Sequence, residues 1–267
     1  MNLHDYIKRL ENVTGDEKNK VFTMYLNTDP SDPDQQGGEW KIHLKNGLRN
    51  FESYLKEDDD KTELNHFKHV KEKVEKYMHD NEQSLQKGVF IFATGDDELW
   101  IAERVQMPVK TDFFWETTPA LDQLKELHQT YPKTGVVLVQ NDQVKVLKAN
   151  ANEVEDTKMY ELNIDTDQWH LHEGPHRADA SMGSGGKNLQ QDQFKERFEA
   201  NKQRWFKSIA PKLDKQAKDD GWEEIVIMGE SDEADELASQ MQKNPDKLIY
   251  KNMLDHKEDA ILEEIYN

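Results

Sequence analysis

Short apolar runs rich in β-branched and aromatic residues alternate along this chain with longer stretches whose apolar residues recur at helical spacing. That alternation restricts the fold to the α/β class, because each sheet face must be covered by the amphipathic helices that separate the strands. Leu3, Tyr6, Ile7, Leu10 and Val13 predict a helix over 2–13. Val21 to Leu26 predicts a strand that leaves through the polar turn Asn27-Thr28-Asp29-Pro30. Trp40 to Leu55 and Leu64 to Met78 predict two helices separated by the acidic break Glu57-Asp58-Asp59-Asp60. Strands follow at Gly88–Ala93 and Leu99–Ala102, then a helix through Leu121, Leu124 and Leu127.

Thr130-Tyr131-Pro132-Lys133-Thr134 marks the boundary, giving domains over 1–132 and 133–267. The second opens with a hairpin, Gly135–Val139 and Val144–Leu147, turned by Asn141-Asp142, and a third strand over 154–162 extends the meander. Turn formers, histidines and glycines over 163–189 predict one long surface loop. A long helix is expected from Gln190 to Ala217, kinked or interrupted at Pro211. Ile225–Met228 reads as a buried strand ending at Gly229, followed by a helix that Ser231-Asp232-Glu233 would cap, a short strand at 248–250 and a last helix over 260–265.

Composition removes several chemistries. The chain has no cysteine among its 267 residues, which excludes thiol catalysis, iron–sulfur clusters and thiolate zinc sites. It has no apolar run of about 18 residues, so no membrane helix is expected. Met1-Asn2-Leu3-His4-Asp5-Tyr6 has neither a basic nor an apolar leader region, and a cytoplasmic location follows as the expectation. Thirty-five Lys and Arg against 54 Asp and Glu leave a formal charge of −19, which repels phosphate at long range and argues against indiscriminate nucleic-acid binding, DNA included.

One segment departs from that pattern. Gly183-Ser184-Gly185-Gly186-Lys187-Asn188-Leu189-Gln190-Gln191 closes the expected loop at the mouth of the long helix. Adjacent glycines let a backbone approach a ligand closely, and backbone N–H groups at a helix start favour anions. The phosphate-loop spacing G-x-x-x-x-G-K-[ST] is missing. Behind the glycines, Phe194, Phe198, Trp205, Ile209, Leu213 and Ala217 form an apolar stripe. Arg197, Arg204, Lys207, Lys215 and Lys218 fall within an arc of about 80° on another face. Residues 187–218 hold nine Lys and Arg against four acids, a net +5 that leaves −24 on the rest of the chain. A basic stripe in so acidic a protein reads as a surface that meets phosphate, the alternative being a solvated helix face.

The order of hairpin, third strand, loop, Gly-Gly, long basic helix and buried strand ending in Gly resembles the middle domain of the archaeo-eukaryotic class-1 peptide-chain release factors and their Pelota relatives. Tyr25-Leu26-Asn27-Thr28-Asp29, then Trp40, Leu44-Lys45-Asn46 and Gly88-Val89-Phe90-Ile91-Phe92 are similar to the small α/β domain of bacterial members. The branch most resembled is the bacterial Vms-like release factors. The resemblance implies a two-domain α/β fold: an N-terminal α/β domain, then an RNase-H-like mixed sheet with a long basic helix. It implies codon-independent peptidyl-tRNA hydrolysis on the large ribosomal subunit, with 23S rRNA and peptidyl-tRNA as partners of a monomeric, cofactor-free protein. In that family a Gly-Gly-Gln tip positions water against the ester, and positioning is the catalytic device. Gly185 and Gly186 match the two glycines, and Lys187 stands where the glutamine belongs. Aligning on Phe194 leaves about two extra residues before the helix, so the glutamine is Gln190 or Gln191, or is absent. The expected RNA-facing cations are Arg177, Lys195, Arg197, Lys202, Arg204 and Lys207. The family's Asn-Ile-Lys-Ser tetrapeptide does not occur, and the third domain that docks a translational GTPase does not follow, so ribosome rescue is expected instead of stop-codon reading.

Two further readings compete. A protein of the same fold would bind ribosomes without hydrolysis if Lys187 disables the tip. A two-metal RNA or tRNA nuclease would need acids such as Asp142, Asp165 and Glu224 to converge. His170, His172 and His176 lack the accompanying ligands of a metal site, and no metal is expected.

Overall fold

The computed structural model describes residues 3–35, 37–57, 61–163, 166–172 and 187–266, without the side chains of residues 172, 187–197 and 199. The chain divides into two compact units, Met1–Tyr131 and Pro132–Asn267.

The first unit is a four-stranded antiparallel sheet in the order β3-β2-β1-β4, built from β1 (Val21–Asn27), β2 (Gly88–Thr94), β3 (Trp100–Val105) and β4 (Asp112–Glu116). Alternation along β1 sends Phe22, Met24 and Leu26 to one face, where α2 (Trp40–Lys56) and α3 (Lys61–Asp80) cover them with Leu44, Leu48, Phe67, Val70 and Val74. Tyr25 goes to the other face and donates its hydroxyl to Ala120 O at 2.8 Å, ahead of α4 (Asp122–Thr130). The first helix, α1 (Leu3–Leu10), stops short of the expected Val13, with the Asn12 amide donating back to Lys8 O. Strand β4 is an addition to the expected elements: Phe113 and Phe114 are only half-buried, so its run lacks a clean alternation.

The second unit is a six-stranded mixed sheet in the order β10-β9-β5-β6-β7-β8. Strands β5 (Thr134–Gln140), β6 (Gln143–Asn150), β7 (Glu153–Asn163) and β8 (Gln168–His172) form an antiparallel meander. Strands β9 (Glu224–Met228) and β10 (Lys247–Ile249) add parallel beside β5. Helices α5 (Lys187–Asp220) and α6 (Ser231–Gln240) cover one face, and α7 (Glu258–Tyr266) the other. The parallel step from β5 to β9 fits a strand buried on both faces, which is why Ile225–Met228 carries no polar alternation.

Three expectations in this unit are corrected. Residues 163–189 are not one loop, since β8 lies within them as the sheet's edge strand; its signal is weak because Trp169 alone is fully buried while Leu171, on the same face, is 47% exposed. Helix α5 begins at Lys187 and runs unbroken through Pro211. Pro211 is exposed, so the Lys207 carbonyl it leaves without an intrahelical donor faces the solvent side. The capping pattern expected at Ser231 does not form either: Glu230 is the N-cap, with no side-chain cap bond, and Glu233 turns inward. Its carboxylate takes the Asn141 N–H, at 3.1 Å from each oxygen, and pins the β5–β6 turn where Asn141 adopts φ +49°.

Candidate nucleic-acid interface

Helix α5 is laid on its sheet by a wide apolar stripe. Phe198, Trp205, Phe206, Ile209, Ala210, Leu213 and Ala217 are buried against Val137, Val139, Val144 and Val146 of the meander and Ile225 and Ile227 of β9. Burial of that face fixes the opposite one outward: Arg204, Lys207, Lys215 and Lys218 are all exposed. Lys202, expected beside them, is half-buried on another flank of the helix. Lys195 and Arg197 lie in the helical backbone, and Arg177 falls outside the described residues.

The exposed cations are not equivalent. Arg204 pairs with Asp167 at 3.0 Å, and Lys215 pairs with Asp219 at 2.6 Å one turn on. Asp219 holds the Lys215 ammonium above its ordinary pKa, and the same pair holds the Asp219 carboxyl below its own. Lys207 and Lys218 have no acidic partner within salt-bridge reach among the described residues. At the far end of the helix a shallow cavity of about 280 Å³ opens beside Lys212, Lys215, Tyr160 and Asp219; its mixed charge makes it a poor anion cradle. Burial, with Asp156 and Asp220 nearby, pushes the Tyr160 hydroxyl up.

Reciprocal bonds clamp the β7–β8 hairpin to α5. The Trp169 indole donates to Trp205 O at 3.0 Å, and that carbonyl also accepts from Ser208 Oγ at 2.7 Å. In return the Trp205 indole donates to Asp167 Oδ1 at 2.9 Å, and Lys212 Nζ donates to Trp169 O at 2.9 Å. Trp169 stacks on Phe206 with ring centroids 6.5 Å apart. Asp167 sits in the left-handed region at φ +54°, which a short polar side chain tolerates. Sequence reasoning misses Asp167, Trp169 and Lys212 as functional residues; the one available signal for Trp169 is a lone large aromatic in a polar stretch. The clamp holds β8, the last described element before residues 173–186, against α5, which begins at Lys187.

Gly185 and Gly186 lie outside the described residues. Lys187, Gln190 and Gln191 are in the first turns of α5, which begins at the residue after Gly186. The other candidates do not assemble. Asp142 follows β5 and Glu224 pairs with Thr134 at its start, about 20 Å apart at the rise of an extended strand, and Asp165 is outside the described residues. Burial raises the Asp142 carboxyl, while Glu224 takes Lys247 at 3.0 Å and the Thr134 hydroxyl at 3.2 Å. His170 and His172 are two apart on β8, His170 on the face opposite Trp169, and His176 is not among the described residues. Among the described residues no three His, Asp or Glu side chains gather as metal ligands, and no helix is long and apolar enough to cross a membrane.

The sequence profile described as bacterial archaeo-eukaryotic release factor family 5 matches residues 132–267. The chain is 32% identical over 265 residues to YocB, an uncharacterised protein of Bacillus subtilis (strain 168), covering 99% of this chain and 98% of that one. Among solved structures, an archaeal translation termination factor, aRF1, aligns with 98% of this chain and 72% of its own at 11% identity and a TM-score of 0.34. A structure titled an archaeal protein aligns with 99% and 72% at 12% identity and the same score. At that score neither neighbour bears on fold or function.

Proposed function

Because the chain belongs to the bacterial archaeo-eukaryotic release factors, family 5, we propose that it is a codon-independent peptidyl-tRNA hydrolase acting on stalled or split large ribosomal subunits. The observation that carries the reading is the exposed cationic face of α5, which follows the Gly185-Gly186 pair directly in a chain whose remainder holds −24. Rescue of ribosomes in the cytoplasm, with 23S rRNA and peptidyl-tRNA as partners, is the role that this face and the family together favour.

In this reaction a water oxygen adds to the ester carbonyl that joins the nascent peptide to the terminal ribose of tRNA. The ester C–O bond then breaks, the ribose oxygen takes one of the water's protons, the other passes to solvent, and the peptide leaves as a carboxylate. The chain need supply no acid or base of shifted pKa. Its part is to bring backbone N–H groups at Gly185 and Gly186 to the reacting ester and hold them there, which is catalysis by positioning and by oriented dipoles. The α5 cations bind phosphate, and the clamp at Trp169 and Trp205 keeps the two elements flanking residues 173–186 in fixed relation.

One observation favours a second reading, a ribosome-binding factor of the same fold without hydrolysis. Gln190 and Gln191 are helical, and the residue directly after the glycines is Lys187. The double variant Gly185→Ala/Gly186→Ala separates the two. Under the hydrolase reading it keeps ribosome affinity and loses peptide release, because added Cβ atoms obstruct backbone approach. Unchanged release by this variant would retire the tip assignment.

A further inference from the structure

Asp167 divides its carboxylate between two neighbours on one turn of α5. Oδ1 accepts the Trp205 indole at 2.9 Å, and Oδ2 takes the Arg204 guanidinium at 3.0 Å. Trp205 is 1% exposed and anchors the helix in the core, whereas the Arg204 side chain is 61% exposed and belongs to the cationic stripe. We propose that Asp167 is a positioning residue of the RNA interface, an internal anion that holds Arg204 against the hairpin until a nucleic-acid phosphate displaces it. This rests on the reading of α5 as an RNA-binding face and adds a restraint to it.

The physical basis is competition for one guanidinium. A carboxylate and a phosphate oxygen both take bidentate hydrogen bonds from arginine, and Arg204 can give its fork fully to one of them. The pair is partly exposed, Asp167 being 41% so, which makes it weak enough to be exchanged and strong enough to be felt. The other oxygen ensures that the competitor does not drift away. The indole bond and the left-handed backbone at φ +54° fix the carboxylate in place whether or not Arg204 is attached. Lys207 and Lys218 on the same stripe carry no such restraint among the described residues, so they serve as first contacts and Arg204 joins when it is released.

The test compares Asp167→Asn, Asp167→Ala and the charge-matched control Asp259→Asn, on α7 across the sheet from α5. Asparagine keeps the indole acceptor and accepts a left-handed backbone but cannot hold the guanidinium. Affinity is read at two salt concentrations for purified large subunits and for a labelled unstructured 20-nucleotide RNA. Asp167→Asn is expected to bind about twofold to fivefold more tightly than Asp259→Asn, the range of a released surface ion pair. Its log–log salt slope should equal that of Asp259→Asn, because Arg204 reaches phosphate in both and only the cost of releasing it differs. The gain should vanish when Arg204→Gln is added to Asp167→Asn. Asp167→Ala should melt at a lower temperature than Asp167→Asn, because only alanine orphans the indole. A merely structural Asp167 would give Asp167→Asn no gain over Asp259→Asn with either probe, or an equal gain in the Arg204→Gln background; each result overturns the inference. RNA binding that follows this pattern without peptide release would leave the inference standing and retire the hydrolase reading.

Discussion

Replacing Trp169 tests how the hairpin is held to α5. The indole makes two separable contributions: a bond from Nε1 to Trp205 O and a ring stacked on Phe206 in a site only 4% exposed. Trp169→Phe removes the bond and part of the ring. Since Trp205 O keeps the Ser208 hydroxyl at 2.7 Å, its carbonyl is not orphaned, and removing the indole bond costs about 1 kcal/mol. The narrower ring weakens the packing by a further amount of about 1 kcal/mol, for a total near 2 kcal/mol. Trp169→Ala empties the site beside Phe206 and should cost about 4 kcal/mol, a large share of the stability an ordinary domain possesses. Hydrogen exchange in rising urea, read on peptides from residues 132–267, gives the cost without assuming that the whole chain melts in one step. Equal costs for the two variants, or an alanine cost below about 0.5 kcal/mol, would refute the reasoning, because either would mean that the ring is not packed as described.

Three further outcomes follow from the same structure. Gly135→Ala would drive a Cβ into the Trp222 ring, so the buried indole must move; a loss of about 3 kcal/mol in the second unit is expected, and an unchanged thermal midpoint would contradict it. In the first unit Lys56 and Lys71 hold the Glu52 carboxyl near a pKa of about 2, below its ordinary 4.5. A depressed folded pKa supplies stability above the ordinary value and loses it as pH falls, so the parent's advantage in thermal midpoint over Glu52→Gln should shrink between pH 4.5 and about 2; a constant difference would contradict the assignment. The variant Arg197→Gln/Arg204→Gln/Lys207→Gln should weaken large-subunit binding and flatten its log–log salt slope by nearly one unit for each phosphate no longer neutralised, measured at two salt concentrations. Equal slopes for parent and variant would reduce the stripe to solvated surface.

Periodicity makes most elements legible. Val21–Leu26, interrupted only by the buried Thr23, and Gly88–Ala93 are apolar runs because those strands are covered on both faces, and α3 shows its buried Phe67, Val70, Val74 and Met78 at regular spacing. The two strands that the pattern hides, β4 and β8, are both edge strands, where one flank has no neighbour and half-burial erases the alternation. The site is legible in part. The cationic arc can be counted from the sequence because helical geometry alone places Arg204, Lys207, Lys215 and Lys218 together. Which of those cations is paired cannot be counted, since Asp167 lies far along the chain from Arg204 and reaches it only through the hairpin that β8 closes. The start of α5 is hidden because glycines and polar residues at 183–191 carry no apolar spacing to mark a first turn.

Incubation with large ribosomal subunits that carry a labelled nascent peptide on tRNA tests the central claim most directly. Peptide and tRNA are scored separately, so that hydrolysis of the ester is distinguished from cleavage of RNA. The account predicts free peptide together with full-length deacylated tRNA, at a rate that rises with protein concentration. Peptide that stays esterified while the protein comigrates with the subunit, or tRNA that is shortened, would contradict it.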